Sequence, residues 1–401
     1  MEKICVVGLG YVGLPLAVVL SDFYEVVGIE ISSKKSKQLL SGVDSNNQVS
    51  EKKLKDKLNG NLVISDTYVD AADCTVYIVT VPTPIFGNYK PDMTACIETY
   101  HAISEILEKD NIVVLESTVY PGASEELLLP ILEHRSNLKL NNDFFIGYSP
   151  ERINPGDTIN TVKNISKLIS ASDTIALRRL EIIYNSVVDR VVPTPSIKVA
   201  EASKVMENAQ RDVNIAFMNE MERIFDSLNI PIDDVLEAAS TKWNFLNFQP
   251  GLVGGHCIGI DPYYLMDVSR SKGVEPLLMH SARLVNENAV EYHLSKILKL
   301  IQLNLKSDKP ILGLGCTFKP NVNDLRNSKV MELYKRISEY GIKLTIHDPL
   351  IHDTKLENLK FEPKLPDPQK YSFVIMGVCH NVFLRDEYHD ILSVVDYQIG
   401  R

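Results

Sequence analysis

The sequence predicts an α/β protein made of two doubly wound parallel-sheet domains, joined by a long central helix and a helical middle domain. Three observations carry that prediction. The apolar run Lys3-Ile4-Cys5-Val6-Val7 leads straight into Gly8-Leu9-Gly10-Tyr11-Val12-Gly13, as a buried strand entering a glycine turn would. Lys309-Pro310-Ile311-Leu312-Gly313-Leu314-Gly315 echoes that unit late in the chain. Between them, residues 197–228 carry apolar side chains at helical spacing (Val199, Ala202, Val205, Met206, Ala209, Val213, Ala216, Phe217) and no interior Gly or Pro. The expected domains are 1–195, 196–305 and 306–401, in keeping with what 401 residues can hold.

The first unit has the strand, glycine turn and helix of a Rossmann-like dinucleotide-binding domain. Gly8 allows the tight turn, Gly10 lets the backbone approach a pyrophosphate, and Gly13 lets helix pack on strand. Tyr11 and Val12 complete the turn, and the helix start beyond them offers N–H groups to phosphate. Val26-Val27-Gly28-Ile29 reads as a second strand ending at Glu30. A carboxylate there suits the free 2′-hydroxyl of NAD and repels the 2′-phosphate of NADP. A glycine turn without a ligand is the bland alternative, and the four features together outweigh it.

Three more strands follow, each running into polar residues. Residues 75–81 are capped by Pro82-Thr83-Pro84, and residues 112–115 run into Glu116-Ser117-Thr118. Residues 144–148 run into Ser149-Pro150-Glu151-Arg152-Ile153-Asn154-Pro155-Gly156. Ligands of open α/β sheets lie beyond the carboxyl ends of strands, so these ends are expected to converge on one crevice. The alternative is that Pro and Ser only punctuate loops. The sheet should close near Val191-Val192.

On the long helix, Lys204 and Asn208 are four apart and share one face. Their Ala and Val surroundings favour an inward polar pair over an exposed one. An aromatic loop, Trp243-Asn244-Phe245-Leu246-Asn247-Phe248-Gln249-Pro250-Gly251, leads into Val253-Gly254-Gly255-His256-Cys257-Ile258-Gly259-Ile260-Asp261. This places a thiol on permissive backbone, beside an imidazole and four residues before a carboxylate. A thiolate can attack an aldehyde carbon when local charges favour the anion. Alone, the segment would read as a turn around a buried structural cysteine. The cofactor fingerprint and the Lys/Asn pair turn that reading toward a nucleophile. In the C-terminal domain, Lys319 and Arg326 flank a glycine turn as candidate phosphate ligands, against the plainer reading of loop surface charges.

Net charge is −10, with 45% hydrophobic and 23% charged residues, which disfavours a nucleic-acid or acidic-membrane partner. The six cysteines are scattered without a CxxC pair or zinc spacing, so reduced thiols and no metal are expected. No run approaches the ~20 apolar residues of a membrane helix. The apolar N-terminus is broken by Gly8, Gly10, Gly13 and Pro15, unlike a signal peptide. A soluble cytoplasmic protein is expected.

With both glycine turns, Lys204/Asn208 and the cysteine segment in view, the chain resembles the UDP-glucose/GDP-mannose dehydrogenase family from end to end. The phrases 148–157, Trp243-Asn244-Phe245-Leu246 and 254–264 are most similar to the bacterial UDP-N-acetylhexosamine 6-dehydrogenases of capsule, Vi-type and O-antigen synthesis. The resemblance implies NAD-dependent, four-electron oxidation of a nucleotide sugar's C6 alcohol to a carboxylate by a homodimer or higher homo-oligomer. It implies Cys257 as the nucleophile carrying thiohemiacetal and thioester, with Lys204 and Asn208 as oxyanion donors. Asp261, together with Glu151 and Thr118, would position or deprotonate water, with a carboxylate or the alkoxide-facing Lys204 as the alternatives for the base. Gly8, Gly10, Tyr11, Val12, Gly13, Glu30, Thr83, Thr118 and Lys329 would hold NAD. Glu151, Arg152, Lys204, Asn208, Phe248, Gly251, Gly254, Lys319 and Arg326 would hold the UDP-sugar. Two departures stand out. Thr241-Lys242-Trp243 occupies the place where relatives often carry an inter-subunit arginine, and the chain ends soon after its last strand-like run.

The gluco or galacto UDP-N-acetylhexosamine leads the substrate readings, and UDP-N-acetylmannosamine or UDP-glucose are the alternatives. A two-electron β-hydroxyacid dehydrogenase would share the first domain and a Lys/Asn pair, but needs neither the cysteine segment nor a second nucleotide-type domain. A non-catalytic sensor of NAD or nucleotide sugar would not need Cys257, Lys204 and Asn208 intact.

Overall fold

The computed structural model describes residues 2–152, 163–304, 309–351 and 359–400. The expected Ile153–Gly156 phrase lies outside them. The chain divides into two compact units, Met1–Glu207 with Tyr263–Gly273, and Asn208–Pro262 with Val274–Arg401.

The first unit is a sheet of eight strands: β1 (Lys3–Val7), β2 (Glu25–Ile29), β3 (Leu62–Ser65), β4 (Val76–Val79), β5 (Ile112–Leu115), β6 (Phe145–Tyr148), β7 (Ser166–Ala171) and β8 (Arg190–Pro193). Their order is β3-β2-β1-β4-β5-β6-β7-β8. Strands β1 to β6 are parallel and almost wholly apolar, as strands covered on both faces must be. The strand order reverses between β1 and β4, which makes the crevice outside their carboxyl ends the natural ligand position. The register sets Val7 opposite Ile29 and Val79, Val79 opposite Leu115, and Leu115 opposite Tyr148. The next residue of each strand therefore forms one row: Gly8, Glu30, Thr80, Glu116 and Ser149.

The direction of β7 has no local signature. Strand β7 runs antiparallel to β6, with Tyr148 opposite Ser170, and β8 is parallel to β7. The first residues of β7 consequently lie at the edge where β1 to β6 end.

Helices α1 (Gly13–Leu20), α2 (Ser33–Leu40), α3 (Glu51–Leu58), α4 (Thr94–Ile106), α5 (Leu129–Ser136) and α6 (Thr174–Asn185) flank the sheet. The starts of α2, α3 and α6 are chemically marked: Ser32 accepts from the Lys35 amide, Ser50 from the Lys53 amide and Asp173 from the Ile175 amide. The core joins Ile4, Val6, Leu14, Leu20, Ile78, Val114, Leu180 and Tyr184, all buried, each aliphatic side chain contributing roughly 1.5–3 kcal/mol. Helix α7 (Ile197–Ser227) realises the long helical run, and the boundary between units falls within it. Its Glu201 carboxylate accepts from the Gly122 and Ser124 amides at 2.5 and 3.0 Å.

The second unit contains the rest of α7, then α8 (Ile232–Ser240), α10 (Leu277–Glu287), α11 (Ala289–Asn304) and α12 (Lys329–Glu339). Helix α9 (Asp261–Ser271) has its first two residues in this unit and the rest in the other. The sheet runs β11-β10-β9-β12-β13, from β9 (Ile311–Leu314), β10 (Leu344–His347), β11 (Lys360–Phe361), β12 (Phe373–Met376) and β13 (Tyr397–Gln398). All its pairings are parallel, including that of the last strand, β13, with β12. Val290, Leu294 and Ile297 of α11 share a core with Leu333, Tyr334 and Ile337 of α12.

Candidate active site

The glycine turn after β1 is closed on one side and open on the other. The Gly8 amide donates to the Ile29 carbonyl at 2.8 Å, with φ at +90°. A Cβ on Gly13 would lie 2.1 Å from the Gly8 carbonyl oxygen and 2.4 Å from Thr80 Oγ1. Thr80 Oγ1 itself donates to the Val7 and Gly8 carbonyls. A Cβ on Gly10 would meet nothing within 4 Å. The turn is thus packed against its own backbone at Gly13 and open to a ligand at Gly10.

Tyr11 and Val12 are half-buried, and Val12 leads α1 with no side-chain cap and no acidic residue in the first turn. The first amides of α1 are therefore suited to an anion. Glu30, 8% exposed, follows β2; its carboxylate pairs with Lys35 at 2.8 Å and accepts from the Ser32 amide at 3.1 Å. Thr83 and Thr118 are half-buried in the loops after β4 and β5. Open space over Gly10, an uncapped helix start and a carboxylate after β2 together fit NAD.

At the far end of the same edge, Lys204 Nζ donates to the Glu151 carbonyl at 2.7 Å. Arg152 places its guanidinium on the Glu207 carboxylate, at 2.5 and 3.3 Å, and donates to the Ser166 carbonyl. Lys167, buried at the start of β7, pairs with Glu116 at 2.8 Å and with Glu151 at 3.5 Å. The Tyr184 hydroxyl donates to the other Glu116 oxygen. Burial pushes the Glu116 carboxyl up, against the pull of Lys167. Burial pulls Lys167 down, but the two carboxylates outweigh it and hold the ammonium above its ordinary value. Lys204, Glu151 and Arg152 were legible in the sequence as site residues here; Glu207, Lys167 and Tyr184 were not. Glu116 was visible after its strand, yet nothing in the sequence pointed to its partner.

In the second unit the cysteine segment is a run of turns ending in α9. Gly255 has φ +80°; its amide donates to the Asn327 carbonyl at 3.1 Å and its carbonyl accepts from Asn327 Nδ2 at 2.8 Å. The Ile260 and Asp261 amides both reach back to the Cys257 carbonyl, at 3.0 and 2.8 Å. Asp261, 1% exposed, accepts from Asn208 Nδ2 at 2.5 Å, and Asn208 Oδ1 accepts from Arg211. Cys257 is exposed, Cys379 half-buried and the other four cysteines buried. Burial raises all five of those others, Cys74 and Cys96 to about 12.

His256 Nε2 lies 3.0 Å from Asp324 Oδ2, and Arg326 forks onto the same carboxylate at 2.8–3.3 Å. Burial raises the Asp324 carboxyl, but His256 and Arg326 reverse this and hold it well below the usual range. Lys319 Nζ sits over the Phe318 ring. Gly251 is bracketed by Asn219, which accepts from its amide and donates to its carbonyl, while a Cβ on Gly254 would lie 2.4 Å from the Asn327 carbonyl. Phe248 is half-buried, and Lys242 and Trp243 are exposed, Trp243 at 92%. Lys329 commits its ammonium to Glu287 and Glu332 at 2.6 and 2.9 Å. That ties α10 to α12.

Three stretches match one family in order. Residues 2–188 match the NAD binding domain of the UDP-glucose/GDP-mannose dehydrogenase family, 198–288 its central domain and 312–398 its UDP binding domain. The chain belongs to that family. It is an NAD-dependent UDP-sugar dehydrogenase. It is 45% identical to Protein CapL of Staphylococcus aureus over 363 residues, 90% of this chain and 84% of that protein. It is 42% identical to the UDP-N-acetyl-D-glucosamine 6-dehydrogenase of Pseudomonas aeruginosa, over 95% of this chain and 91% of that one. The solved UDP-D-ManNAc dehydrogenase of Pyrococcus horikoshii superposes with a TM-score of 0.85 at 28% identity, covering 98% and 93% of the two chains. Among the described residues of this UDP-sugar dehydrogenase, no helix is long and apolar enough to cross a membrane, and no group of three or more His, Cys, Asp or Glu side chains is placed to hold a metal ion.

Proposed function

We propose that this dehydrogenase oxidises the C6 hydroxyl of UDP-N-acetylglucosamine or UDP-N-acetylgalactosamine to the uronate, a four-electron reaction serving surface-polysaccharide synthesis. The carrying observation is the exposure of Cys257 beside the buried Asn208–Asp261 pair, while burial keeps the remaining thiols protonated. When bound, NAD supplies the electron acceptor, one hydride going to each of two cofactor molecules in turn.

The protein's own groups do the rest. The alcohol gives up a hydride and a proton to become the aldehyde. The Cys257 thiolate adds to its carbonyl carbon, and Lys204 and Asn208 donate to the oxygen that becomes negative. Loss of the second hydride leaves a thioester. Water, deprotonated by Glu151, opens that thioester to the carboxylate and returns the thiol. Glu151 suits the base role better than Asp261, because Glu151 is half-buried whereas Asp261 is 1% exposed and already bonded to Asn208. Asp261 then holds Asn208 in place, and Thr118 helps to seat cofactor and water. Lys319 and Arg326 meet the diphosphate. The apolar, exposed Met206, Phe217 and Ile224 of α7 supply a homodimer surface.

The test is NADH formed per UDP-sugar consumed, across N-acetylgluco, N-acetylgalacto, N-acetylmanno and gluco substrates. Two NADH per sugar are expected, with the highest kcat/KM for one of the first two. One NADH per sugar would remove the four-electron reaction, and a preference for either of the others would move the substrate.

A further inference from the structure

Glu151 is held from several directions, all within the first unit. Lys204 of α7 bonds its carbonyl, and its own Oε1 accepts from the Arg152 amide at 2.6 Å. The Arg152 guanidinium is spent on Glu207 of α7. Lys167 of β7 lies 3.5 Å from Glu151 Oε2, and Glu116 after β5 lies on the far side of that lysine. Tyr184 of α6 donates to Glu116. A cavity of about 10 Å³, lined by Glu151, Lys167, Tyr184 and the aliphatic Leu16, Ile165, Val187 and Val188, adjoins them. That is room for about one water.

The antiparallel course of β7 creates this arrangement. Tyr148 lies opposite Ser170, and Gly147 opposite Ala171. Continuing that register brings Lys167 level with the residues just after Ser149. A parallel strand would have carried its first residues to the opposite edge of the sheet.

A base that opens a thioester must be ionised at working pH, yet it must keep enough basicity to take a proton from water. A lysine ammonium beside it favours the ionised form, and a second carboxylate on the same lysine weakens that pull. We propose that Lys167, clamped on Glu116, is a positioning residue that aims Glu151 and sets the pH range over which it works. The pair acts as a counterpoise: the Lys167 ammonium attracts the Glu151 carboxylate, and the Glu116 carboxylate shares and weakens that attraction. The proposal rests on the reading of Glu151 as the base.

Two measurements keep the two ideas apart. The first is the acid limb of the kcat–pH profile in wild type, E151Q, E116Q and K167M. The second is the titration of the Glu151 side-chain carboxyl in ligand-free protein carrying ¹³C-carboxyl glutamate, its resonance assigned by its loss in E151Q. The proposal requires K167M to move the Glu151 midpoint up and E116Q to move it down, with the acid limb following both. A purely structural role would lower activity without moving the midpoint in opposite directions. If neither substitution moves the carboxyl titration, or both move it the same way, the counterpoise is wrong whatever Glu151 does. If the titration moves as expected but the acid limb stays put and survives in E151Q, the base assignment fails instead. K167M leaves two buried carboxylates facing each other; should it not fold, E116Q decides alone, and a midpoint that is unmoved or raised overturns the proposal.

Discussion

At the residue scale, the cysteine segment concentrates the chemistry. Serine at position 257 could still form an ester, but its alkoxide is a far poorer leaving group than a thiolate. The Cys257→Ser protein is expected to stall with sugar attached, seen by intact mass after incubation with NAD and the preferred UDP-sugar. Free uronate at near-wild-type rate would remove Cys257 as the nucleophile. Lys204→Ala should instead slow turnover by ~10²–10³ without a stable adduct. Asn208→Ala combines that loss with exposure of a second defect. It leaves the buried Asp261 carboxylate without its Asn208 hydrogen bond, so a stability loss of about 1–3 kcal/mol should accompany the slower rate. Glu30→Ala should narrow the preference for NAD over NADP by roughly tenfold, the worth of ~1.4 kcal/mol. Equal kcat/KM ratios in mutant and wild type would show that the ribose does not meet that carboxylate.

At the scale of elements, the first turn separates two functions of glycine. Gly13 is required by the protein itself, since a Cβ there collides with the Gly8 carbonyl. Gly10 has no such neighbour. Gly13→Ala should therefore lower the melting temperature and weaken NAD binding together. Gly10→Ala should keep stability within about 0.5 kcal/mol of wild type while raising KM for NAD, as measured by thermal melts and cofactor titration.

This turn was legible because its signal is local: strand, glycines, helix and acid follow one another in sequence. So was α7, whose periodicity runs unbroken through Lys204 and Asn208. Lys167 was not legible. Nothing in Ser166-Lys167-Leu168 marks a partner for Glu116, and the reversal of β7 is what brings Lys167 to it. The Asn327 clasp on Gly255 and the Asp324 bridge between His256 and Arg326 were hidden likewise, because each joins segments about 70 residues apart. Arg152 read as a substrate ligand, yet its guanidinium is engaged by Glu207.

At the scale of the whole molecule, the second unit carries its own acid sensitivity. His293 of α11 is 1% exposed, lies 2.7 Å from the Tyr397 hydroxyl of β13, and is pulled down from 6.5 to about 4 by burial. Burial also lowers His347. An unfolded chain takes up these protons near pH 6.5, whereas the folded chain resists until lower pH. Stability is then lost as pH falls from 6.5 toward 4, by an amount on the order of 3 kcal/mol for His293 alone. Urea denaturation at pH 7 and pH 4.5 should show it, and His293→Gln should shrink the difference between the two. An unchanged difference would mean that His293 is protonated in the folded state.

The unequal shielding of the six sulfurs also turns the chain into a clock for its own opening. A thiol reagent in excess should label Cys257 at once, and each buried sulfur only when its surroundings part. Cys5, Cys74 and Cys96 would time openings of the first unit, and Cys316 those of the second. Pulsed labelling followed by peptide mass analysis would then rank the free energies of local opening across the molecule. Repeating the pulse with NAD alone and with UDP-sugar alone would show which sulfurs each ligand slows, and so how far from its own binding groups each one stiffens the fold.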